Sequence, residues 1–334
     1  MIYINDNFLE IRFPELQNNV GLRIHFKRTL RIPDDGNTHS LPPGLGSFPL
    51  RHIDDFNLGT KNHLKERGGI IMPMYQSEAL WLDFTSIQKF GDVEYPIAVK
   101  IGTGKICAVS GDSWSSTLNR DPQDYVVVPE QPWLDGYNVE KGKIKQFVAA
   151  PMGHGYTVEE QLTGEANVGG LQIQAFPMKK DYYDSLNKPV RNMVDYCMHA
   201  PSMDMDSMEM GLAPGGEMRQ EIYEDPYDFE VWDLRKSQRC FVTIANAEQW
   251  MDITGEEPPK SPISASAYTR AGLPWFEYYA NNQTAIEGAK CLGKIKSIKN
   301  VAPTTGKNIW VDDEPAFKPK FSWLTKKKVN EGKW

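Results

Sequence analysis

The sequence predicts a mainly β protein, built of antiparallel sandwich-like or open-barrel sheets with a few short helices. Three observations predict it. One long segment alternates apolar and polar residues over 20–32. A hairpin signature surrounds Gly102-Thr-Gly104. The remaining apolar segments are short and are broken by glycine and proline rather than extended as helical repeats.

In the first segment Val20, Leu22, Ile24, Phe26, Leu30 and Ile32 share one side, and Arg23, His25, Lys27 and Arg31 share the other. Successive side chains of a strand point to opposite faces, so this is a half-buried antiparallel strand with a basic outer face. Ile70 to Phe84 reads as two extended pieces joined by a polar bend. Tyr95 to Ile101 and Lys105 to Val109 form the hairpin, because glycine supplies the positive φ of a tight turn. Further strands are expected at Asp124 to Pro129, Lys143 to Ala149, Leu171 to Phe176, Glu217 to Tyr223 and Arg239 to Ala245. Thr157-Val-Glu-Glu160 is a capping box that opens a two-turn helix ending at Gly164. Lys179 to Leu186 and Ala285 to Ile298 are the other helix candidates, the last amphipathic enough to lie on a sheet. Pro33 to Pro49 and Pro258 to Pro274 read as long loops.

Four regions follow: a β-rich unit over 1–196, a Met/Asp/Gly-rich connecting loop over 197–216, a second β-rich unit with one amphipathic helix over 217–316, and a basic aromatic C-terminal tail over 317–334. The chain has 334 residues, 40% hydrophobic and 24% charged, which is ordinary globular composition. A net charge of -7 argues against nucleic acid, whose phosphates need clustered lysine and arginine. No apolar window is long enough for a membrane span, and Met-Ile-Tyr-Ile-Asn-Asp-Asn lacks the pattern of a signal peptide. The four scattered cysteines fit a reducing compartment, so the expected location is the cytoplasm.

Catalytic templates fail one after another. Gly104-Lys105 lacks the upstream glycine and the following Ser or Thr of a phosphate loop. No dinucleotide fingerprint, HExxH or GxSxG is present. No cofactor is implied. His154, flanked by glycines and followed by Glu159, Glu160 and Glu165, is the one place where acid–base chemistry is conceivable, as in a hydrolase or a sugar-active enzyme. The plain alternative is a tight turn with solvated carboxylates. Cys197, His199, Met203 and Met205 have soft-metal donor chemistry, although aspartates interleave them. Met203, Met205, Met208 and Met210 equally suit an adaptable contact surface. Nine tryptophans form no regular array and read as core or interface anchors.

From Asp204 to Asp233 ten residues are acidic and one is basic. From Phe317 to Trp334 six lysines accompany one acid. Solvated disordered tails lack aromatic content. Phe321, Trp323 and Trp334 among Lys326, Lys327 and Lys328 therefore suggest docking on an acidic, partly apolar surface, of the same subunit or of a neighbour. The expected function is a non-catalytic structural or interaction protein that associates with itself or with another protein.

Four stretches carry a resemblance. They are Met72-Pro-Met-Tyr-Gln-Ser-Glu-Ala-Leu-Trp81, Gly155-Tyr-Thr-Val-Glu-Glu-Gln-Leu-Thr-Gly164, Gly216-Glu-Met-Arg-Gln-Glu-Ile-Tyr223 and Ala271-Gly-Leu-Pro-Trp-Phe276. In these the chain resembles a family of conserved bacterial and fungal proteins to which no activity is attached. The resemblance implies one continuous β-rich unit over about 70–280 and carries no site residue.

Overall fold

The computed structural model describes residues 1–5, 7–16, 20–56, 62–87, 89–90, 93–186, 210–271, 275–276 and 283–305. Strand makes up 40% and helix 18%, and the large, mostly antiparallel sheet does not close on itself, so the fold is mainly β. Its strands fall into two groups. In the first, β1 (Ile2–Asn5), β2 (Phe8–Arg12), β3 (Gly21–Thr29), β8 (Ala79–Ser86), β16 (Lys143–Pro151) and β18 (Met210–Arg219) are antiparallel neighbours in that order. Short strands extend it: β5 (Gly44–Ser47) on β3, β14 (Trp133–Leu134) on β8, β15 (Gly136–Glu140) on β16, and β4 (Thr38–His39), parallel, on β18.

The second group runs β6 (Arg51–His52), β7 (Ile70–Pro73), β19 (Gln238–Ala245), β17 (Leu171–Pro177), β11 (Ile97–Thr103), with β12 (Ile106–Cys107) and β13 (Val126–Val128) on β11. β7 and β19 are parallel. Among the described residues one ladder pair, Met210 with Ile244, joins the groups. β9 (Lys89–Phe90) and β10 (Val93–Glu94) form a separate hairpin. Strands on both sides of residues 187–209 pair with each other, β16 with β18 and β17 with β19.

The apolar alternation of 20–32 does what period two requires. Leu22, Ile24 and Phe26 are fully buried, whereas Arg23, His25 and Lys27 are partly exposed. The core they enter also takes Ile97, Val99 and Ile101 from β11 of the second group.

The outer face of β16 and β18 is closed by the helix α7 (Ile298–Thr305), with Ile298 and Val301 on Val148, Ala150 and Ala213. On the second group, α4 (Ala247–Thr254), α1 (Asn62–Arg67) and a 3-10 turn at Ile53–Asp55 bury Ile53, Leu64, Ile71, Ala245 and Trp250 in a satellite cluster. Among the described residues no helix is long and apolar enough to cross a membrane.

The structure departs from the sequence-based elements in four places, the first being the loop read over 33–49, which contains β4 and β5 because Thr38 and His39 pair with β18 and Gly44 and Ser47 with β3. Second, β18 starts at Met210, inside the stretch read as a connecting loop, and ends at Arg219, short of Tyr223. Its Ala-Pro-Gly-Gly run hides the strand because the glycines serve packing. A Cβ on Gly215 would lie 2.5 Å from Val148 Cγ2, and one on Gly216 2.4 Å from Pro33 O. The register shifts there between Lys145 and Phe147, which makes a bulge that also accommodates Pro214. Third, Ala285 to Ile298 is not one helix. Tyr223 bridges Ala285, and only α6 (Lys290–Lys294) and then α7 coil. Gly288 sits where a Cβ would meet Glu140 N at 2.2 Å, so the chain passes extended against β15. Fourth, the loop read over 258–274 contains α5 (Ala265–Arg270), capped by Ser264. The expected Lys179 to Leu186 helix is α3 (Lys180–Ser185).

Candidate functional site

β16 ends at Pro151 and passes into a tight turn in which Gly153 (φ 81°) and Gly155 (φ 75°) take left-handed backbone around His154. α2 (Val158–Thr163) follows. Its capping box forms as expected. Glu160 N donates to Thr157 Oγ1 at 3.2 Å, and the Glu160 carboxylate accepts from Thr157 N at 3.0 Å, Thr157 Oγ1 at 2.7 Å and Gly155 N at 3.0 Å. Both Glu160 oxygens are therefore engaged in closing the turn.

Glu159 has a different task. It is buried, and its Oε2 accepts from Gly169 N at 2.8 Å and Val168 N at 3.3 Å. A Cβ added at Gly104 would lie 2.2 Å from the same oxygen, so Glu159 packs against the β11–β12 turn. Its Oε1 is buried without a partner among the described residues. Glu165 is exposed and reaches Lys105 at 3.4 Å and Asn167 Nδ2 at 2.6 Å. The carboxylates after His154 thus go to three separate sets of partners rather than to one centre.

This role has a measurable consequence. Thr157→Ala removes the hydroxyl half of the box and should lower stability by about 1 kcal/mol. Urea denaturation of the full chain would read it, and an unchanged midpoint would rule out the capping role.

Beside this turn lies a narrow crevice of about 20 Å³, room for about one water molecule, lined by Leu64 and Arg67 of α1, Met152, Val168, Met210, Thr243 and Ile244, and by Gln249 and Ile253 of α4. Arg67 is held across its mouth, donating to Val168 O at 2.8 Å and Asn167 O at 2.7 Å, with its guanidinium 5.7 Å from the Phe241 ring centre. Thr243 is 9% exposed, and its Oγ1 has no hydrogen-bond partner among the described residues. Met210 is 3% exposed and contributes to the crevice wall. No motif announces this crevice, because its walls come from five separated parts of the chain.

Two ionisable centres elsewhere are buried deeper. Lys100, 1% exposed, donates to Asp124 Oδ2 at 2.5 Å, Ser115 Oγ at 2.8 Å and Thr117 O at 2.8 Å, which uses all three of its protons. Burial pushes the Asp124 carboxyl up, and the Lys100 ammonium opposes that. Asp225 accepts from Tyr125 Oη at 2.5 Å, Trp232 Nε1 at 2.8 Å and Tyr227 N at 2.9 Å. Both are saturated with protein partners and read as fold-fixing networks.

The basic outer face expected on β3 is interleaved with acid from its neighbours. Glu10 of β2 binds Arg12 and Arg23, and Lys27 lies 4.0 Å from Asp83 of β8. Register, which the sequence does not display, brings these together. Cys197, His199, Met203, Met205 and Met208 lie outside the described residues, as do Phe321, Trp323, Lys326, Lys327, Lys328 and Trp334. Among the described residues no group of three or more His, Cys, Asp or Glu could hold a metal ion. No family model, curated protein or solved structure matches the chain.

Proposed function

We propose that this chain is a non-catalytic cytoplasmic protein that works through protein contacts, assembling with further copies of itself through the tail at 317–334. One observation carries the reading: the carboxylates that follow His154, the residues best suited by type to acid–base work, are bound to backbone amides and a surface lysine as parts of the fold. The tail supplies the positive side of the argument. Aromatic rings seat in apolar pockets, and lysines steer towards acid.

Light scattering on the full chain tests this reading. An oligomer is expected at low salt, weakened at high salt because exposed charges are screened. Phe321→Ala/Trp323→Ala/Trp334→Ala should shift the mass to that of the monomer. A wild-type chain that is monomeric at all salt concentrations, or an oligomer indifferent to the triple substitution, overturns it.

A further inference from the structure

The proposed assembly leaves one question open, namely where the tail sits, and the surface around α4 has the properties such a seat needs. The segments 51–56 and 247–257 contain six acids, Asp54, Asp55, Glu248, Asp252, Glu256 and Glu257, against one arginine. That arginine, Arg51, is bound by Glu256 through both oxygens, at 2.7 and 2.6 Å. Asp54, Asp55, Glu248, Asp252 and Glu257 are exposed. Apolar surface lies among them: Met251 is 49% exposed, and Phe56 and Ile253 are half-buried over the satellite cluster.

Helical geometry orders these residues. At 100° per residue, Trp250 and Thr254 face the sheet, Gln249 and Ile253 face the crevice, and Glu248, Met251 and Asp252 face out. The Glu248–Asp252 row therefore borders the crevice directly. The tail matches this acidic, partly apolar face, with six lysines to one acid and aromatic residues spaced among them. Reach imposes no obstacle. Twenty-nine residues follow Thr305, which extended span roughly 95 Å.

We infer that the acidic, Met251-bearing outer face of α4, with Phe56 and Ile253 beside it, is the seat for residues 317–334 of a second copy of this chain. This rests on the self-association reading above and names the surface that reading requires.

The test uses full-length protein and a fluorescein-labelled peptide of residues 317–334. Anisotropy should show the peptide binding the wild type, and binding should fall roughly tenfold or more in Glu248→Lys/Asp252→Lys/Glu257→Lys as opposed charges become like. The milder Glu248→Gln/Asp252→Asn/Glu257→Gln set, which preserves shape, should give an intermediate loss. Light scattering should show weakened assembly in the lysine variant, and its mixture with Lys326→Glu/Lys327→Glu/Lys328→Glu chains should restore it. Charge reversal at Glu224, Asp228 and Glu230, an exposed acidic segment elsewhere, should leave both readouts unchanged. If the α4 variants assemble like the wild type while the aromatic tail variant does not, the tail sits elsewhere and this seat is wrong, with the self-association reading intact. If the peptide competes without any change of mass, the tail docks on its own subunit and the inference is equally overturned. A monomeric wild type sinks the broader reading instead.

Discussion

Replacing Lys100 by methionine is expected to destabilise the fold by about 3–5 kcal/mol, the usual result of removing one partner of a buried ion pair. Lys100 comes from β11, whose seven residues are all buried, and Asp124 from the segment before β13. The two residues are 1% and 5% exposed, so the lost ammonium leaves a buried carboxylate behind. Methionine fills much of the lysine volume but donates nothing to Asp124, Ser115 Oγ or Thr117 O. The cost then comes from the stranded carboxylate rather than from lost packing. Adding Asp124→Leu to Lys100→Met should therefore recover a large share of the loss, because two apolar residues leave less unsatisfied than one charge. Urea midpoints of the single and double variants decide it. A double variant no better than the single would mean that packing, not the uncompensated charge, dominates.

The second large effect is a pH dependence centred on Asp135. This residue lies between β14 and β15, is 5% exposed, and has an Oδ2 with no hydrogen-bond partner among the described residues. Burial pushes its carboxyl up from 3.8 to about 7, opposed only by a hydrogen bond from Trp133. The folded chain therefore keeps a proton that the unfolded chain releases near pH 4. The associated stability is fully present below that point and is lost as pH rises through about 7. Three pH units of displacement correspond to roughly 4 kcal/mol. Asp135→Asn cannot ionise. It should be no more stable than the wild type at pH 5, since its amide N–H groups lack acceptors, yet should hold its urea midpoint at pH 8.5 where the wild type falls. Parallel pH profiles for the two proteins would exclude Asp135 as the source.

Both effects depend on burial created by register, and this marks the limit of what the sequence shows. Period two placed Leu22, Ile24 and Phe26 in the core because half-buried strands advertise themselves in one dimension. The capping box of α2 was equally legible, since its donors and acceptors lie three residues apart. The same signature at Asn246 and Gln249, with Gly255 closing α4, is masked by the strand pattern that runs directly into it. β18 could not be read at all from alternation. It is buried on both faces, so its glycines, its proline and Met218 carry no polar-apolar rhythm. Of the site residues, the sequence located Glu159 and Glu160 but could not assign their hydrogen bonds. Arg67, Thr243 and Gln249 are 176 and 6 positions apart and meet only through the parallel pairing of β7 with β19. Such a pairing needs a long crossover and leaves no local trace.

That, among the described residues, the two strand groups share one ladder pair, Met210 with Ile244, has a mechanical consequence. Backbone hydrogen bonds are directional and give way by discrete slippage, whereas interlocked side chains resist sliding in every direction within their plane. Force applied across the two layers would thus be borne by the meshed rings and methyl groups between them. Rigidity in this protein is a property of its filling rather than of its stitching.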